Sequence, residues 1–172
     1  MDDLGLGLVW EPIPDEPRSA VLGQLIPEQQ LVVVNENHLD ELERKGGRLR
    51  RYTIGHEIGH WELHSDGARS GMLSLLAGDR IWCRSGSADP TERQAEIFSA
   101  SLLMPRDDLL AALPRPPWRG WRHVYQLADT FLVNVTPMKI RLEQLGWMHI
   151  GDDGTPVSGP KPMPGQPTLF DI

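Results

Sequence analysis

Cysteine is nearly absent: Cys83 is the one thiol in 172 residues, so no disulfide can form within the chain and its stability has to come from a buried core. Positive charge is also short, with 17 Lys and Arg against 24 Asp and Glu. The resulting net charge of −7 argues against a general nucleic-acid binder and favours a protein or small-molecule partner. No apolar run approaches the ~20 residues of a membrane-spanning helix. The start, Met1-Asp2-Asp3, is acidic and leads into no apolar stretch of the kind a secretory signal carries. With the lone thiol, these features set the expectation of a cytoplasmic protein. The length suits one core and an appendage better than two large domains.

Glycine and proline, by contrast, number 17 and 15, and their clusters divide the chain. Gly5, Gly7, Pro12, Pro14 and Pro17 predict an irregular lead-in over residues 1 to 20. Val21–Ile26 and the β-branched Leu31–Val34, separated by Pro27-Glu28-Gln29-Gln30, read as two strands of a short antiparallel sheet. A helical turn at Leu39–Leu42 precedes Gly46-Gly47, and a helix follows from near Arg50 or Thr53 to about His64. Residues 65 to 91 hold apolar patches broken by glycines and read as an insertion or lid. Asp89-Pro90-Thr91-Glu92 has the form of a helix start, and that helix runs to Met104-Pro105. Three further helices follow, two of them, Trp121–Thr130 and Thr136–Leu145, beyond the stiff Pro114–Pro117 linker. Residues 151 to 172 have the Gly- and Pro-rich composition of a flexible tail. The expected organisation is therefore an α+β core over 1–113, a helical region over 114–150 and a tail over 151–172.

The chemistry concentrates in His56-Glu57-Ile58-Gly59-His60. On a helix, residues i and i+4 lie one above the other, so the two imidazoles can converge on one ion. Glu57 lies about 100° round the helix, out of the first coordination sphere but near a water on the metal, where it can act as general base. Zinc in such a site lowers the pKa of that water to about 7. Gly59 costs its helix about 1 kcal/mol relative to Ala, which points to close approach of another element.

A catalytic zinc needs a third protein ligand, and the candidates are His64, Cys83, Glu92 and Glu96. His64 lies eight residues, about 12 Å of helix rise, from His56 and cannot reach the same ion on an unbroken helix. Leu63 and Asp66 stand where a metzincin has Gly and His, which excludes that class. Glu92 and Glu96 are i and i+4 on one helix face. One can bind the metal while the other hydrogen-bonds a ligating imidazole, the arrangement preferred over two solvent-facing charges.

The blocks Arg51-Tyr52-Thr53-Ile54-Gly55-His56-Glu57-Ile58-Gly59-His60 and Glu92-Arg93-Gln94-Ala95-Glu96-Ile97-Phe98-Ser99-Ala100-Ser101-Leu102-Leu103-Met104-Pro105 resemble the ImmA/IrrE metallopeptidase family. That family carries R-F-T-x-A-H-E-x-G-H followed by E-x-x-A-N-x-F-A-x-x-L-L-M-P. The resemblance implies a zincin-like core with zinc, or Mn2+ or another divalent ion, on His56, His60 and Glu92, and with Glu57 as the base. It further implies cytoplasmic cleavage of helix-turn-helix repressors, switching on stress or mobile-element genes. Tyr52, Gly55 and Glu96 depart from the pattern, which has Phe, Ala and Asn there.

Weaker signals remain. Residues 124 to 142 have the look of a helix-turn-helix, yet the second helix offers only Lys139 and Arg141 beside Glu143, so packing against the core is favoured over DNA contact. His38, His123 and His149 read as ordinary surface or half-buried residues, and Cys83 as a packing residue. One of those histidines, Tyr52 or His64 could donate to a developing oxyanion. Gln166-Pro167-Thr168-Leu169-Phe170 resembles the short peptide that docks bacterial proteins on the DNA sliding clamp, against a tail that is merely solvated. The leading expectation is a zinc endopeptidase. The alternatives are a non-catalytic regulatory or DNA-associated module on the same scaffold, and a zinc hydrolase of small molecules.

Overall fold

The computed structural model describes residues 4–16, 20–64, 73–77 and 90–162, with 73–77 described as backbone. Strands β1 (Gly7–Glu11), β2 (Ala20–Ile26), β3 (Leu31–Asn35) and β4 (Leu73–Ala77) form one sheet in the order β1-β3-β2-β4. Helix α1 (Leu39–His64) covers one face of it. Helices α2 (Pro90–Leu103), α3 (Arg106–Ala112), α4 (Trp121–Thr130) and α5 (Val135–Gln144) follow, and a hairpin of β5 (Met148–Ile150) and β6 (Pro156–Ser158) closes the described chain. The expected α+β class is observed. Among the described residues no helix is long and apolar enough to cross a membrane.

The β2–β3 hairpin forms as its β-branched run predicts. It turns through a short 3-10 segment, Pro27–Gln29, and left-handed Gln30, and its strands pair antiparallel. Two strands that the sequence does not announce extend it. β1 lies in the expected irregular lead-in and pairs parallel with β3, so the sheet is mixed. Leu8-Val9-Trp10 is a short β-favouring run, and an edge strand needs only one partner, so the flanking glycines and prolines bound it without abolishing it. β4 lies inside the expected insertion and adds antiparallel to the other side of β2. Five residues are too few for periodicity to separate strand from helix.

Helix α1 is two helical pieces. Lys45, Gly46 and Gly47 take positive φ, breaking it near the predicted Gly46-Gly47 and starting the second piece just before Leu49. That second piece lies on the sheet: Leu25 and Val32 pack with Ile58 and Trp61, and Leu22 and Val34 with Leu49 and Ile54. Gly23 permits the approach, since a Cβ there would lie 2.6 Å from the Thr53 methyl. On its other side α1 meets α2 through two glycines. A Cβ on Gly55 would lie 2.7 Å from Ser99 Oγ, and one on Gly59 3.0 Å from Ala95 Cα. Position 55 opposes 99 and position 59 opposes 95, so the two helices run antiparallel.

A second core gathers α2 to α5: Ala100, Met104, Leu109, Val124, Leu127, Met138 and Leu142 are buried together with Trp118 and Met148. This is the packing reading of the helix-turn-helix look. Lys139 pairs with Glu143 at 3.6 Å, and Arg141 Nε donates to the Met104 carbonyl at 3.4 Å. The α4–α5 turn is tied to α1, with Arg48 reaching Asp129 and the Val133 carbonyl and Arg51 reaching the carbonyls of Phe131 and Leu132. The segment from 151, expected as flexible tail, instead begins by returning as β6 to pair with β5. Its composition hid a three-residue strand anchored by Ser158, which accepts at Oγ from the Trp118 amide. Cys83 and the clamp-like peptide Gln166–Phe170 lie outside the described residues.

Gly59→Ala tests the α1–α2 seam. The gain in helix propensity of about 1 kcal/mol is outweighed by contact with backbone that cannot move aside, for a net loss of about 1–2 kcal/mol in urea denaturation. Unchanged or increased stability would mean that the two helices do not meet there.

Candidate metal centre

His56 and His60 lie one turn apart on the buried face of α1, and Glu92 stands in the first turn of α2. The antiparallel crossing brings Glu92 opposite both rings. His56 Nε2 lies 3.2 Å from Glu92 Oε2, His60 Nε2 lies 3.4 Å from Glu92 Oε1, and the two Nε2 atoms are 2.9 Å apart. Ligand atoms about 2.0–2.1 Å from one ion at tetrahedral angles lie about 3.3 Å apart, so this donor set fits a single four-coordinate cation. Among the described residues it is the group of three that could hold one. Both imidazoles are at most 2% exposed, while the Glu92 side chain keeps 26%.

The electrostatics suit a cation. Burial pushes the His56 pKa down, outweighing the upward pull of Glu92, and so favours the neutral ring, the form that can bind a metal. Burial pushes Glu92 up, but hydrogen bonds from His56 and His60 prevail together and bring it to about 2. Glu57 is fully buried on the neighbouring flank of α1, and its carboxylate oxygens find no hydrogen-bond partner among the described residues. Its Oε1 lies 3.6 Å from where a Cβ on Gly23 would be, so the glycine of β2 also makes room for this carboxylate. Burial, and next the charge of Glu92, raise Glu57 well above the ordinary carboxylate range, with the Leu25 amide opposing.

Glu96 does not take the expected place. The ring Nδ1 atoms of His56 and His60 are buried without a hydrogen-bond partner among the described residues, so Glu96 does not orient them. The residue is engaged with Tyr52 instead: the Tyr52 hydroxyl donates to the Glu96 backbone carbonyl at 3.3 Å, and burial, then the nearby Glu96 charge, raise the proton affinity of that hydroxyl. Burial, reinforced by Glu92, pushes the Glu96 carboxyl up to about 7.

The remaining candidates separate in the same way. His64 stacks 5.6 Å from the His60 ring but stays outside the metal-capable group, as the helix rise requires. His38 bonds Asp15 at 2.8 Å, His149 bonds the Gly159 carbonyl, and His123 packs against Trp118, all within the fold. Gly23, which shapes the site from β2, carries no mark of that role in the sequence, and Ser99 shows one only by standing where the family pattern has Ala.

Residues 15–143 match the peptidase family described as the IrrE N-terminal-like domain. No curated protein matches the chain. A match over that much of the chain settles its kinship: it belongs to the IrrE N-terminal-like peptidase family, and its activity class is that of a metallopeptidase-type hydrolase.

The position of Glu96 has a consequence for stability. A carboxyl raised from 4.5 to about 7 in the folded state binds more protons there than when unfolded, so stability falls as pH rises between those values. In the metal-free protein, Glu96→Gln should gain on the order of 1–2 kcal/mol at pH 8, after discounting for partial exposure, and almost nothing near pH 4.5. Thermal unfolding at the two pH values measures the difference, and an equal effect at both would refute the burial of this charge.

Proposed function

We propose that the chain is a zinc endopeptidase in which His56, His60 and Glu92 hold the metal and Glu57 is the general base. Its substrate is a helix-turn-helix transcriptional repressor, whose cleavage derepresses stress or mobile-element genes. One observation carries the catalytic reading: three donor atoms converge beside a fully buried carboxylate that has no side-chain partner among the described residues. A structural cation needs no such neighbour. A zinc ion in this donor set, or another divalent ion such as Mn2+, supplies an acidified water and a polarised carbonyl.

The chain's own residues do the rest. Glu57 takes a proton from the attacking water as its oxygen bonds the scissile carbonyl carbon, then delivers that proton to the leaving nitrogen as the C–N bond breaks. Glu92 is the most exposed of the three donor side chains, so approach from its side meets the least protein. The family is one of peptidases, and β4 is an edge strand of the sheet among the described residues, where a substrate strand can add; both favour a peptide over a small molecule. A repressor substrate puts the reaction in the cytoplasm.

The test is incubation of the purified protein and Zn2+ with the helix-turn-helix repressor encoded beside its gene. Cleavage at one site is expected, abolished by a chelator and reduced at least 100-fold by Glu57→Gln, which retains its metal. Glu92→Ala should lose the metal by elemental analysis. A repressor left intact by the wild type, or cut equally well by Glu57→Gln, would refute the reading.

A further inference from the structure

We propose that Ser99 is a positioning residue for the metal centre, its hydroxyl fixing the height of α2 against α1 and so holding Glu92 opposite His56 and His60. The inference rests on the metal-ligand reading given above. Ser99 is wholly buried, and its Oγ donates to the Tyr52 backbone carbonyl at 3.0 Å. A helical serine ordinarily bonds a carbonyl one turn back on its own helix, so this bond crosses to the neighbour instead. A second bond crosses the other way, from the Tyr52 hydroxyl to the Glu96 carbonyl at 3.3 Å. Gly55 completes the fit, because the Ser99 hydroxyl fills the space that a side chain at 55 would take.

The placement relative to the ligands gives the bond its consequence. Ser99 lies seven residues from Glu92, nearly two full turns and therefore on the same face of α2. Tyr52 lies one turn before His56 on α1. The crossing bonds and the ligands thus share one helix–helix seam. A slip of one residue along that seam moves Glu92 by about 1.5 Å, whereas metal–ligand distances are defined to about 0.2 Å. The Gly59–Ala95 contact sets how near the helices lie, but apolar contact has no axial direction. The Ser99 bond supplies it.

The test uses Co2+ alone as the probe, titrated into the metal-free full-length protein, with affinity read by chelator competition and ligand geometry by the visible absorption of the bound ion. Ser99→Ala should keep its helical circular dichroism yet bind Co2+ about 10–100-fold more weakly, with a changed visible spectrum. Tyr52→Phe, which keeps the ring and loses the opposing bond, should shift both readouts the same way and stands in if Ser99→Ala fails to fold. Lower thermal stability with unchanged Co2+ affinity and spectrum in both variants would show a purely structural bond and overturn the proposal. Glu92→Ala separates the two readings. A wild type that takes up no Co2+ overturns the metal site and the positioning together. A wild type weakened by Glu92→Ala but not by Ser99→Ala overturns the positioning alone.

Discussion

The close approach of α1 and α2 is the constraint on which the rest of the molecule depends. A glutamate has a short side chain, and for its two oxygens to reach two imidazoles on another helix the backbones must nearly touch. Gly55 and Gly59 allow this by presenting no side chain to Ser99 and Ala95. Each glycine weakens the helix by about 1 kcal/mol, so the helix that carries the chemistry is intrinsically poor. It persists because it is held on three sides: by the sheet through Ile58, Trp61, Leu49 and Ile54, by α2 along the seam, and at its first turns by the helical region.

That third contact gives the helical region a structural role. Packed helices alone would bury the apolar faces of α4 and α5, but Arg48 and Arg51 also satisfy carbonyls at the end of α4, where Leu132 takes a positive φ and helical bonding has run out. Helix α1 therefore caps the turn, and the turn in return anchors α1 beside the break at Gly46-Gly47. Of the cations on α5, Lys139 pairs with Glu143 and Arg141 donates to the Met104 carbonyl, so both also serve the packing of the helical region.

What the sequence revealed and what it hid divide along local and non-local lines. The spacing of His56 and His60 is a property of one helix, so their convergence was legible, and so was the meaning of Gly59 as a point of approach. Glu92 and Glu96 looked equivalent because i,i+4 spacing reports a shared face and says nothing about which turn meets the partner helix. The packing separates them: Glu92 lies within 3.4 Å of both rings, whereas Glu96 engages Tyr52. Ser99 and Gly23 act wholly across elements, and a small residue inside a strand or helix has too many ordinary explanations to stand out. β1, β4 and β6 were hidden for a related reason. Short strands drawn in by a neighbour's unpaired backbone need little pattern of their own.

The same seam explains how Glu57 can be tolerated. An ionised carboxylate with no partner in a dry interior costs several kcal/mol, and Glu92 nearby adds repulsion, so without a cation Glu57 keeps its proton. Glu92 is in the opposite state, held ionised by the imidazoles despite its partial burial. The pair thus has environments that pull two identical groups apart: one is an anion waiting for a cation, the other an acid that ionises readily only when positive charge stands beside it. Gly23 leaves room for the second carboxylate beside β2, where the Leu25 amide only partly offsets its raised proton affinity.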